Sequence, residues 1–241
     1  MSCGNQVFDV SICDCAKSSD LCEGEYAIAC FPFDSHYHDS TGNIWWTKTT
    51  NMQLVSVAKH GMSAYFNGNS SFMEIPFFQN YQFPLTFTCS FWYMSVSGMD
   101  SDRKGLVNNG DCEHEPMFTV RLSNGVTGTL SGGVYTVNEH NLTNAYANIP
   151  AMLEVWHHVV MMWDGTVVTF YLDGSLVSAT NVNIGSGLIK RSPVSLILGR
   201  SVYCDYQFDD NTFLHGYIDE LKMFRKTLTI TEIQYLYHEY D

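Results

Sequence analysis

The chain has 241 residues, of which 45 % are hydrophobic and 14 % aromatic, and its formal net charge is −13. This composition excludes a disordered chain and allows a substantial hydrophobic core. The excess of acids argues against nucleic acid and anionic membrane surfaces as partners, and no apolar run of about 18 residues predicts membrane insertion.

Residues 1–30 form a cysteine-rich segment with little periodicity, which we predict to be disulfide-tied and to precede a domain over 31–241. The chain has eight cysteines, and an even number at this density indicates disulfides in an oxidising compartment. The start does not read as a signal peptide, so a processed fragment of a secreted, extracellular protein is expected. Zinc is the weaker alternative, because no CxxC pair occurs. The disulfide candidates are Cys3, Cys13, Cys15, Cys22, Cys30, Cys112 and Cys204.

The remainder of the chain shows short alternating or apolar runs that predict an all-β fold, either a sandwich or a barrel. Its cleanest hairpin is TFYLDGSLVSA around Asp173, and LSNGVTG and LSGGV are interpreted as further tight connections. Thr229 and Glu232 have the spacing of a capping box, which predicts one short C-terminal helix. The strand candidates are 62–66, 71–77, 85–95, 117–123, 126–130, 133–138, 156–164, 166–173, 175–180, 194–199 and 216–224.

Five blocks in this order together resemble a laminin-G-like domain of the concanavalin A-like lectin/glucanase superfamily. The resemblance implies an antiparallel jelly-roll sandwich of two sheets. It also implies a fold whose members bind calcium and recognise carbohydrate or protein, with a few glycosidases and lyases among the relatives. The blocks are FPFDSHYHDSTGN (31–43), AYFNGNSSFMEIP (64–76), FTCSFWYM (87–94), WHHVVMMWDGTVVTFYLDGSLV (156–177) and LHGYIDELKMFRKTLTITEIQYL (214–236).

Asp219 is a candidate ligand of a structural Ca²⁺. At the strand period of two it shares a face with Tyr217 and Leu221, and a carboxylate on an apolar face is costly unless it is neutralised or paired. Calcium takes oxygen ligands from carboxylates and carbonyls. The resemblance implies Asp39, a carbonyl near Asn43 and Asp219 as the ligands. The alternative is that Asp219 accepts hydrogen bonds from backbone N–H groups or pairs with an arginine.

A second acidic site is predicted where two cysteine-containing loops would meet, if Cys112 and Cys204 are bridged. Carboxylates brought together there would repel one another unless a cation bound among them. The site would then hold a second calcium ion or face a mineral, whereas the alternative is a pair of solvated acidic loops. Its residues are Asp111, Glu113, Glu115, Asp205, Asp209 and Asp210.

Trp45, Trp46 and Tyr203 are the candidate ligand-binding residues, and we expect one tryptophan in the core and the other exposed for stacking on a sugar. His36 and His38 form a weak zinc pair, because a third ligand is missing. The Glu-x-Asp-x-x-Glu strand of the glucanase relatives is absent, so we predict no enzyme.

The sequence therefore favours an extracellular, non-catalytic module that binds a glycan or a matrix protein. Two alternatives stay open: a structural part of an extracellular matrix, mineralised or chitinous, and a polysaccharide hydrolase or lyase. The sequons at Asn69 and Asn141 are compatible with a secreted glycoprotein.

Overall fold

The computed structural model describes residues 7–9, 14–16, 18–96, 104–109, 117–123, 129–137, 143–148, 153–181, 187–201 and 213–240. Two α-helices lie in these ranges, α1 (Ser18–Glu23) and α2 (Ile230–His238), together with a 3₁₀ turn at Pro76–Phe78. The strands are β1 (Val7–Asp9), β2 (Asp14–Ala16), β3 (Ala27–Phe31), β4 (Lys48–Thr50), β5 (Gln53–Val55), β6 (Ser63–Asn67), β7 (Phe72–Ile75), β8 (Phe87–Ser95), β9 (Lys104–Asn108), β10 (Phe118–Ser123), β11 (Thr129–Val134), β12 (Thr143–Asn148), β13 (His157–Trp163), β14 (Val167–Leu172), β15 (Ser175–Asn181), β16 (Leu196–Leu198) and β17 (His215–Phe224).

Two antiparallel sheets form the fold, as the sequence predicted. One has the strand order β12-β11-β10-β9-β16-β7-β4, and the other has the order β15-β14-β13-β8-β17-β6-β5, with β3 paired to β17. The core lies between them, where Phe87 of one sheet meets Phe118 of the other with ring centroids 5.0 Å apart. In the described part of the chain, no helix is both long enough and apolar enough to span a membrane.

The second sheet is buried on both faces at its centre. Phe87 and Phe91 of β8 point into the main core, while Trp92 on the opposite face stacks on Tyr237 of α2 at 5.6 Å. This double burial explains why the strand FTCSFWYMS is almost continuously apolar. Cys89 is a buried free thiol.

Helix α2 begins as the sequence predicted. The Thr229 side chain accepts from the backbone N–H of Glu232, and the Glu232 side chain accepts from the backbone N–H of Thr229. Ile233 and Leu236, spaced to share a helix face, pack with Phe224 in a smaller apolar cluster. The helix is thereby fixed on the outer face of the sheet that contains β17.

Two predictions from the sequence differ from the structure: one domain boundary and one turn. The sandwich begins at β3, whose pairing with β17 includes Ala29 and Cys30, so the sheet starts before the predicted boundary at residue 31. The LSGGV segment is strand interior and not a turn, since β11 runs through it. A Cβ on Gly132 would lie 2.3 Å from the carbonyl oxygen of Thr119, so glycine is needed here for close strand contact.

Candidate functional site

Strand β17 contains an irregularity that buries two consecutive carboxylates. Its pairing register with β8 shifts after Asp219, and Glu220 adopts a left-handed backbone conformation with φ 51°. Ile218 and Leu221 therefore both enter the main core although they are three residues apart. The prediction that Tyr217 and Leu221 share one face is wrong, because the irregularity changes the phase of the strand.

Asp219 is fully buried and accepts hydrogen bonds from backbone groups. Its Oδ2 accepts from the N–H of Lys59 at 2.9 Å and of His60 at 3.2 Å, and its Oδ1 accepts from the N–H of Glu220 at 2.9 Å. Burial raises the pKa of Asp219 to about 8, although the N–H donors act in the opposite direction. These contacts attach the loop at residues 59–61 to β17. They are the backbone hydrogen bonds predicted from the sequence as the alternative to calcium binding by Asp219.

Asp39 has a similar role in a different loop. Its Oδ1 accepts from Cys30 N at 2.7 Å and Thr41 N at 3.2 Å. Its Oδ2 accepts from Thr41 Oγ1 at 2.5 Å and Ile44 N at 3.0 Å. The side-chain amide of Asn43 donates to two carbonyl oxygens of β3 at 3.2 and 3.3 Å. The motif DSTGN is thus a loop closed by its own aspartate.

The carboxylates predicted to bind calcium have hydrogen-bond donors in this structure. Asp39 and Asp219 accept from N–H donors of different loops. Calcium binding stays a prediction of the sequence.

Trp45 and Trp46 stand out on the surface. Trp45 is 92 % exposed and Trp46 is 60 % exposed, so the expectation that one of them is core is wrong. Tryptophan is highly buried on average, so two consecutive exposed indoles are unusual. They follow directly on Ile44, which is buried and whose N–H is held by Asp39. The indoles therefore project from an anchored loop that leads into the edge strand β4.

A cleft of about 300 Å³ lies where β3, β17 and the end of α2 meet. The ammonium of buried Lys222 contacts Glu239 at 2.8 Å and Glu220 at 3.0 Å, and the Tyr240 hydroxyl lies in hydrogen-bonding contact with both carboxylates. Burial raises the pKa of Glu220, with Lys222 opposing the shift. Burial alone would lower the pKa of Lys222, but the two carboxylates raise it overall.

Asp34 and His60 form the other wall of this cleft. One ligand atom each of Asp34, His60 and Glu220 lie within 4.8 Å of one another. The ring of His60 also stacks on Tyr240 with centroids 4.4 Å apart. A nitrogen and two carboxylates are therefore close enough together to hold one metal ion.

Comparison with known protein families identifies the superfamily of this chain. A sequence profile of the laminin-G type, described as the concanavalin A-like lectin/glucanases superfamily, matches residues 67–234. The chain belongs to this superfamily. A comparison with curated protein sequences finds no match.

Several solved structures share the fold at low sequence identity. The binding domain of Paraclostridial Mosquitocidal Protein 1 is 16 % identical with a TM-score of 0.70, over 91 % of this chain and 53 % of that one. A second structure is domain 4 of AbnA, a GH43 extracellular arabinanase from Geobacillus stearothermophilus, solved in complex with arabinotriose. It is 18 % identical with a TM-score of 0.65, over 90 % of this chain and 100 % of that one. The botulinum neurotoxin serotype D binding domain is 14 % identical with a TM-score of 0.67, over 88 % and 51 %. The chain spans about half the length of the two toxin binding domains.

The structure describes only some of the predicted cysteines and acidic residues of this superfamily member. Cys22 and Cys30 form a disulfide with the sulfurs 2.02 Å apart. The side chain of Cys15 is not described. Outside the described ranges lie Cys3, Cys13, Cys112, Cys204, Tyr203 and the whole second acidic site, Asp111, Glu113, Glu115, Asp205, Asp209 and Asp210.

The cleft was not predicted from the sequence. Asp34, His60, Glu220 and Glu239 are far apart in the chain, and the pairing of β3 with β17 and the docking of α2 bring them together. The acid pair at 219–220 was the one local signal, since two adjacent carboxylates in an apolar strand suggest an irregularity.

Proposed function

We propose that the chain is a non-catalytic binding module that recognises a carbohydrate through Trp45 and Trp46. The observation that carries the proposal is the exposure of both indoles, 92 % and 60 %, on an anchored loop. The flat apolar face of an indole stacks on the C–H face of a sugar ring, and a loop that is already ordered loses little entropy on binding.

The fold supports this reading. Structures of the same fold include an arabinanase domain solved with arabinotriose and two toxin binding domains. They suggest a recognition role for this chain, and the arabinanase domain suggests a sugar as the ligand class to test first.

A catalytic role receives less support from the site. Glu220 and Glu239, two buried carboxylates of the cleft, share the ammonium of Lys222. A glycosidase needs one carboxyl group free to act as an acid and a second free to act as a base or nucleophile. The charge pairing in the cleft suits a structural role better than proton transfer to a sugar.

An extracellular location belongs to the same proposal. The Cys22–Cys30 disulfide supports it, because disulfides persist in oxidising compartments and are rare in the cytosol. The net charge of −13 favours ligands that are neutral or basic, which includes uncharged glycans.

A glycan array tests the proposal with three forms of the protein: the wild type, Trp45→Ala/Trp46→Ala, and Leu176→Ala as a matched control. Leu176 is 59 % exposed on β15, so its truncation removes a comparable exposed apolar group away from the tryptophans. We expect glycan signals for the wild type and the control and none for the double variant. A wild type that binds no glycan overturns the proposal and favours an extracellular protein as the ligand. Signals that survive in the double variant overturn the assignment to the tryptophans.

A further inference from the structure

Three separate segments of the chain converge at the cleft beside β17. Asp34 follows β3, His60 lies in the loop between β5 and β6, and Glu220 lies at the irregularity of β17. Their candidate ligand atoms all fall within 4.8 Å of one another. The set contains an imidazole as well as two carboxylates, so it differs in chemistry from a patch of surface acids.

The loop that carries His60 is held in place by the same strand. The carboxylate of Asp219 accepts from the backbone N–H groups of Lys59 and His60 at 2.9 and 3.2 Å. Gly61 has φ 54°, and a Cβ there would lie 1.8 Å from Oδ1 of Asp34. The loop therefore allows the Asp34 carboxylate to approach His60 only because residue 61 has no side chain.

The separation of two of the three ligand atoms fits a metal site. His60 Nδ1 lies 3.4 Å from Asp34 Oδ1, which is longer than the usual N–H···O distance of about 2.9 Å. In a tetrahedral zinc site with bonds of about 2.0–2.1 Å, two ligand atoms are separated by about 3.4 Å. The separation of these two atoms therefore equals one edge of such a tetrahedron, and the Glu220 carboxylate lies within 4.8 Å of both.

The charges in the cleft favour a cation. Among the described residues that line it, the carboxylates of Asp34, Glu220 and Glu239 face one ammonium, that of Lys222. With these groups ionised, the excess of two negative charges equals the charge that a divalent ion supplies. A carboxylate can accept about four contacts, so Glu220 can bind a metal ion and Lys222 together. Lys222 also has Glu239 as a partner at 2.8 Å.

We propose that Asp34, His60 and Glu220 bind a Zn²⁺ ion, with a fourth position open to the cleft. The imidazole selects zinc over calcium and magnesium, which prefer oxygen ligands. The ion joins the segment after β3, the loop at residues 59–61 and strand β17. This site is distinct from the predicted calcium ligands and independent of the carbohydrate proposal.

Calorimetric titration of the EDTA-treated, dialysed chain with ZnCl₂ tests the site. His60 is half-exposed, so His60→Ala should fold, and we expect it to weaken one-equivalent zinc binding by at least about tenfold. Asp34→Asn should weaken binding in the same way, and it replaces His60→Ala if that variant gives no folded protein by circular dichroism. The same titration with CaCl₂ should give the weaker binding.

His36→Ala is the matched control, because His36 and His38 form an exposed histidine pair with ring centroids 5.4 Å apart. Zinc affinity should be unchanged in this variant. The proposal is overturned if the wild type binds no zinc, if His60→Ala and Asp34→Asn bind it as tightly as the wild type, or if His36→Ala alone loses it. The spectrum of bound Co²⁺ gives a second readout, and a strong thiolate charge-transfer band would place the metal on cysteines instead.

Discussion

Asp219→Asn should reduce the dependence of stability on pH. Asp219 is fully buried, and its pKa is raised from the usual value of about 3.9 to about 8. The asparagine side chain has nearly the same shape and cannot ionise. The difference between wild type and variant therefore isolates the cost of ionising this one carboxyl group.

The sign and size follow from proton linkage. A group whose pKa is higher in the folded state contributes its full stability below about pH 3.9 and loses it as the pH rises to about 8. Between pH 5.5 and 7.5 the unfolded chain is ionised at this position while the folded chain mostly holds the proton. At 1.36 kcal/mol per pH unit, the free energy of unfolding of the wild type should fall by about 2.5 kcal/mol relative to Asp219→Asn.

Urea denaturation at pH 5.5, 6.5 and 7.5, followed by tryptophan fluorescence with and without EDTA, measures this difference. Parallel pH profiles for the two proteins in EDTA would refute the reasoning about Asp219. A calcium ion on Asp219 would instead lower its pKa, and the profile in calcium would then be flat over this range. The comparison thus separates hydrogen bonding to the loop at residues 59–61 from the calcium site that the sequence suggested.

Three further substitutions test other parts of the structure by urea denaturation. Gly61→Ala should destabilise the protein by about 1–3 kcal/mol, because residue 61 has φ 54° and the Asp34 carboxylate would also have to move; an unchanged midpoint would show that the loop can relax. Thr229→Ala removes the N-cap of α2 and should cost about 1 kcal/mol, whereas no loss would mean that the helix is held by packing alone. Replacing Cys22 and Cys30 by serine opens a short loop and should cost about 2–3 kcal/mol, and a smaller loss would assign little constraint to the disulfide.

The fold could be predicted from sequence because its signals are local. The apolar run of β8, the hairpin at Asp173 and the capping box at Thr229 each depend on neighbouring residues, and each is present in the structure. The glycines of β11 were misleading, since Gly132 permits close contact between strands where the sequence suggested a turn. Short edge strands such as β4 carry too few residues to show a period.

The site depends on contacts that the sequence does not display. Asp39 was predicted as a calcium ligand, but a spacing pattern does not distinguish a carboxylate that binds calcium from one that closes a loop through Ile44. The face assignment around Asp219 failed because one irregularity in a strand reverses the phase of every residue beyond it. Trp45 and Trp46 were recognised as candidates, and their exposure needed the three-dimensional structure.

The most direct test of the carbohydrate proposal is the affinity of the wild type and of Trp45→Ala for the glycan that gives the strongest array signal, measured by isothermal titration calorimetry. Trp45 is 92 % exposed and makes few contacts within the fold, so its truncation should leave the melting temperature almost unchanged. A tryptophan at the centre of an interface typically contributes about 2 kcal/mol or more, which corresponds to a Kd about 30-fold weaker in the variant. An identical Kd for the two proteins would contradict the account.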